Sequence, residues 1–194
     1  MFFLDFYKQL NWVDIFVIIL LIRIFYVALK NGFSTEIFKL LGTICAIYLA
    51  CHYYIRAGSF LSNFTPLKEE VWLDFLKFVS FFILAFFGYF LFVIIRTTFT
   101  FLIRMEAISL LNRWGAFILG IARCALFTSL LFFTINLSNI SYLKNSLSDS
   151  LSGPVLVKLS PKVYTSLWKN LMFRFTGKGA LNVEVSQFRS KPAK

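Results

Sequence analysis

Between Phe78 and Ile95 the chain runs for eighteen residues without a charged side chain. Wound as an α-helix at about 1.5 Å per residue, that run is about 27 Å long, close to the hydrocarbon thickness of a bilayer. Such a stretch admits few folds. Lipid supplies no water for the backbone, so the amides bond within their own helix or within a closed barrel. Composition selects the helical reading and extends it to the whole chain. Apolar residues make up 59% and charged residues 15%. An ordinary soluble domain has about 45–50% and about 25%. A chain of 194 residues has too much surface for its volume to hide that excess inside. The sequence therefore reads as an all-α integral membrane protein.

Three further spans flank the uncharged run. The first covers about Val13 to Leu29, where thirteen of seventeen residues are Leu, Ile, Val or Phe. They contribute roughly −4 to −8 kcal/mol to insertion, against roughly +3 kcal/mol for Arg23, so the span inserts despite its arginine. Lys30 to Thr35 is a tight turn. Gly32 allows backbone conformations that a β-carbon resists. Ser34 or Thr35 is placed to cap the next helix, and Glu36 falls in its first turn, where the helix dipole favours an acid. The second span covers about Ile37 to Tyr54, and Arg56 to Asp74 reads as a polar loop. Arg96 to Arg113 reads as helix near the interface, because apolar residues interleave with its charges. The fourth span covers about Trp114 to Leu137. Within it Ala116 and Gly120 form a small-xxx-small face that lets another helix approach closely.

The expected organisation is a four-helix transmembrane domain over residues 1–137, a tail over 138–178 and a disordered basic C-terminus over 179–194. Met1 to Asn11 is a short amphipathic lead. Ser138 to Gly153 is a Ser/Asn-rich linker. Ser160 and Pro161 have the form of an N-cap with proline at the first helical position. Apolar residues then recur at helical spacing up to Phe175. Residues 161–176 are thus expected to form an interfacial amphipathic helix, with Lys162, Trp168, Lys169 and Arg174 at the lipid surface.

The formal charge is +11. Nine of the basic residues follow Leu137, against Asp149 and Glu184 alone. A basic tail on a membrane protein implies attraction to anionic headgroups. No nucleic-acid partner is expected, because no helix-turn-helix, RNA-recognition or zinc module is present. The membrane-flanking cations do not select an orientation. Lys30, Lys39, Arg96, Arg104 and Arg113 on one side balance Lys8, Arg56, Lys68, Lys77 and Lys144 on the other.

Arg23 and Arg123 are functional candidates because ionisable groups inside a membrane are costly. The blander reading has them snorkel, or pair with an acid such as Glu36 on a neighbouring helix. Asp14 and Glu36 are candidates for a proton relay, or else solvated or capping acids at the edges of their spans. His52 is the only histidine, and Cys45, Cys51 and Cys124 are scattered, so a zinc site lacks its ligand set. No P-loop, GxSxG or HExxH motif occurs. No cofactor, metal or enzymatic activity is expected.

The order of motifs resembles the CvpA family, the colicin V production proteins of bacterial inner membranes. Asn11-Trp12-x-Asp14 is similar to that family's opening signature. Gly32-Phe33-x-x-Glu36 and Leu40-Leu41-Gly42 follow at the family's spacing. Asn112-Arg113 and Gly120-x-x-Arg123 are similar to its fourth-span block. Ala28, Ala116 and Cys124 depart from it, each standing where the family often has glycine. The resemblance marks Asp14, Gly32, Glu36, Gly42, Arg113, Gly120 and Arg123. It implies a multi-pass inner-membrane protein linked to production or export of a peptide toxin, or to envelope homeostasis. Two modes of action fit. One is a scaffold or accessory protein working with other membrane proteins. The other is a small oligomeric channel or transporter using Arg23, Glu36 and Arg123.

Overall fold

Four long helices carry the fold, and each outruns the apolar stretch that predicts it. The computed structural model describes residues 11–64, 70–102, 109–138, 140–172, 181–182 and 184–185. Helix α1 is Trp12–Asn31, α2 is Phe33–Ser62, α3 is Glu70–Leu102 and α4 is Ser109–Leu137. Three short helices follow: α5 (Ser141–Asp149), α6 (Gly153–Leu156) and α7 (Leu159–Leu167), which runs into a π-helical turn at Trp168–Met172. Among the described residues there is no strand. All four long helices are long and apolar enough to cross a membrane. This is a multi-pass membrane protein.

Local chemistry sets the helix ends. At the start of α1, Asn11 and Asp14 form a capping box. The Asn11 side chain takes up free amides of the first turn, and the Asp14 carboxylate accepts from the Asn11 amide at 3.2 Å. At the other end Gly32 has φ 78°, a conformation costly for any residue with a β-carbon. That single residue reverses the chain. It also serves as the N-cap of α2, with no side-chain capping bond, so neither Ser34 nor Thr35 is the cap. The expected polar loop from Arg56 contracts at both ends, since α2 continues to Ser62 and α3 starts at Glu70.

Helix α2 is the hub. α3 packs along its length, α4 packs on it from another side, and α1 leans mainly on α4. Small residues set these distances. A β-carbon on Gly88 of α3 would lie 2.9 Å from the Ala46 Cα of α2. One on Gly120 of α4 would lie 2.7 Å from the Ala28 Cβ of α1. The Ala116–Gly120 face thus does what its spacing predicts, with Ala116 fully buried. Tyr54, Phe81, Leu130 and Phe133 fill the centre between α2, α3 and α4. The outward faces carry Ile15, Ile18, Ile19 and Ile22 on α1 and Phe82, Phe86 and Phe90 on α3.

The tail departs most from expectation. The Ser/Asn-rich stretch is partly helical, as α5, and Leu147 packs beside Val13 and Phe132. The helix expected over 161–176 starts at Leu159, turns π-helical at Trp168–Met172, where the described residues stop, and its apolar face meets protein. Tyr164, Thr165 and Trp168 are buried, while Lys162 and Lys169 face outward. Trp168 is therefore a packing residue within the chain and not a lipid anchor. Residues expected to be disordered also pack. Val185 is fully buried, and the Asn182 amide group donates to the Cys51 carbonyl at 2.8 Å. The physical reason is that α2 offers a backbone carbonyl at Cys51 and a hydroxyl at Tyr54 among buried neighbours, and Asn182 and Glu184 bond to them. The amphipathic lead over 1–10, Arg174 and residues 186–194 lie outside the described residues.

Candidate functional site

Three charged side chains, Glu36, Lys39 and Arg123, meet near the Gly32 reversal. Glu36 stands in the first turn of α2 with no solvent exposure. Lys39, one turn further along the same helix, places its Nζ 2.8 Å from Glu36 Oε1. Arg123 reaches across from α4, with Nε 3.0 Å from Glu36 Oε2. That approach is close but not aligned as a hydrogen bond. Arg123 is 9% exposed. Helices α2 and α4 run in the same direction from this end of the bundle, so an acid early in α2 meets an arginine that snorkels back toward it. Arg96, near the end of α3, lines a small cleft with Lys39.

A bare charge in this environment costs several kcal/mol, and pairing offsets that cost only when partners are close. Glu36 meets the condition twice. Between Glu36, Lys39 and Arg123 one negative charge faces two positive ones, leaving a unit of positive charge. Arg23 of α1 adds another. It is exposed, and it lines an open groove of about 300 Å³ together with Thr43, Tyr89 and Arg123. The four helices each contribute to that groove. It continues into an apolar groove of about 250 Å³, where Thr43, Tyr89 and Phe127 are shared and Phe82, Phe86 and Leu130 are added.

Asp14 occupies a different place. It lies at the opposite end of α1, a helix of 20 residues or about 30 Å, from the Glu36 level. A direct Asp14–Glu36 proton relay is therefore ruled out by distance. Asp14 instead accepts from the Ser152 amide at 2.9 Å, the Ser152 hydroxyl at 2.6 Å and the Leu151 amide at 3.2 Å. Asn11 adds a bond from its side-chain amide to the Ser146 carbonyl at 2.8 Å. The Asn11–Asp14 pair thus starts α1 and ties the tail to it.

The remaining predicted positions divide between packing and surface. Gly42 is buried, and a β-carbon there would lie 3.0 Å from the Phe92 Cβ. Arg113 is exposed at the start of the fourth span. Sequence reasoning missed the cluster at the far end of α2. There His52 is stacked between Tyr48 and Trp168, with ring centroids 5.6 and 5.0 Å away. Its Nδ1 lies 2.9 Å from the Tyr164 hydroxyl, which also accepts from the Asn182 amide. Burial pushes the Tyr164 phenol above its usual range, keeping it neutral. Tyr54 donates to Glu184 at 3.0 Å. Partners 112 and 130 residues apart leave no local pattern to read.

The family model described as colicin V production protein matches residues 13–161. The chain belongs to the colicin V production protein family. The matched region holds all four membrane helices, the Glu36 cluster and the Asp14 anchor with its Ser152 partner. The Gly120-x-x-Arg123 spacing joins a helix contact to an ion pair one turn away. No curated protein and no solved structure matches the chain.

Proposed function

We propose that this protein is a scaffold or accessory component of the bacterial inner membrane, acting through helix contacts in toxin production or export, or in envelope homeostasis. The observation that supports this most is the Glu36–Lys39–Arg123 cluster. Its Glu36–Arg123 ion pair holds α2 to α4. The broad apolar faces of α1 and α3 are left for lipid and for other membrane helices, including further copies of this chain. Lys162 and Lys169 face outward beside the docked tail, which suits contact with anionic headgroups.

A second reading, a small oligomeric channel or transporter, is favoured by one feature. Arg23 and Arg123 line a groove that another subunit would close. Two measurements separate the readings. Co-purification of the full chain in mild detergent is expected to bring down a defined membrane partner. Reconstituted vesicles are expected to show no ion or solute flux above empty ones. Flux abolished by Arg23→Ala would overturn the scaffold reading.

A further inference from the structure

The groove between the helices is ordered along its length like a lipid. At the end nearer the Gly32 reversal it is lined by Arg23, Arg123, Thr43 and Tyr89. Towards the other end it turns apolar, with Phe82, Phe86 and Leu130 along the wall. From Arg123 to Thr134 on α4 this spans eleven residues, or about 16 Å. Polar groups thus stand over an apolar trough that runs in the direction an acyl chain takes in a leaflet.

Charge identifies the head. The buried cluster holds one carboxylate against two cations, and Arg23 brings no acid with it among the described residues. Arg23 sits eight residues from the end of α1, about 12 Å along the axis, and its long stem lets the guanidinium lean towards that end. Excess positive charge at that depth is costly unless an anion shares the site. Arg123 is held by Glu36 at its Nε, 3.0 Å from Oε2, and the same side chain lines the groove. A guanidinium carries five donors in a fork suited to phosphate.

We propose that this groove binds one anionic phospholipid, its phosphate between Arg23 and Arg123 and one acyl chain along Phe82, Phe86 and Leu130. The site is separate from the outward lysines of the tail and independent of the scaffold reading.

The test is native mass spectrometry of the full chain in mild detergent. The probe is either phosphatidylglycerol or phosphatidylcholine with the same acyl chains. One phosphatidylglycerol is expected to be retained, with about tenfold weaker retention of phosphatidylcholine, whose choline sets a cation against the two arginines where glycerol is neutral. Arg23→Gln is expected to abolish the preference and Arg23→Lys to keep most of it. Ala85→Trp, which fills the apolar half, is expected to weaken both lipids, and unchanged circular dichroism would show that each variant folds. Equal retention of the two lipids overturns the proposal. So does a preference that survives Arg23→Gln, binding indifferent to Ala85→Trp, or a second protein chain found in the groove in place of lipid.

Discussion

Glu36 is the residue on which most depends. Its carboxylate is fully buried, and removing the charge leaves Lys39 and Arg123 facing each other in a medium of low polarity. Breaking a buried pair at one partner costs about 3–5 kcal/mol. Glu36→Gln is expected to lower stability by that order, measured as a fall in melting temperature in detergent. Arg123→Gln leaves Glu36 its lysine and is expected to cost less. Asp14 works differently, since it joins parts of the chain far apart in sequence. Asp14→Asn weakens three bonds to Leu151 and Ser152. At about 1.5–3 kcal/mol for a bond to a charged acceptor, the tail is expected to loosen. Limited proteolysis is then expected to release fragments after Leu137 while the four long helices stay intact.

At the level of elements, close packing by small residues governs how the helices meet. The Gly120–Ala28 contact holds α4 against α1, and the Gly88–Ala46 contact holds α3 against α2. Gly120→Leu drives a side chain into α1, where overpacking costs about 1–3 kcal/mol or more. The expected outcome is separation of α1 from α4. A fall in melting temperature in detergent, with α1 opened to limited proteolysis, would report it. The helices themselves were legible in the sequence. Apolar runs and the turn at Gly32 placed them, because membrane insertion depends on local composition. Their true ends were less legible. α2 and α3 continue well past their apolar runs, since tertiary contacts beyond the lipid support the extra turns.

For the whole molecule, the tail is the part that changes the picture. It covers the end of the bundle opposite the charge cluster. Ser129 and Ser160 bond at 2.8 Å, and Tyr164 and Trp168 close over His52. A chain ending at Asp149 is expected to melt at lower temperature and to expose His52 to chemical modification, which the intact chain resists. The sequence by itself determined the membrane class, the four spans, the reversal at Gly32 and the family, because each rests on local composition or on fixed spacing. Only the tertiary structure decided that Arg123 closes on Glu36, that Asp14 anchors Ser152, and that the tail docks on protein instead of lying on lipid. Those are meetings between residues on separate helices. Helical periodicity shows which face is apolar but not whether protein or lipid covers it, and only the packed bundle makes that choice.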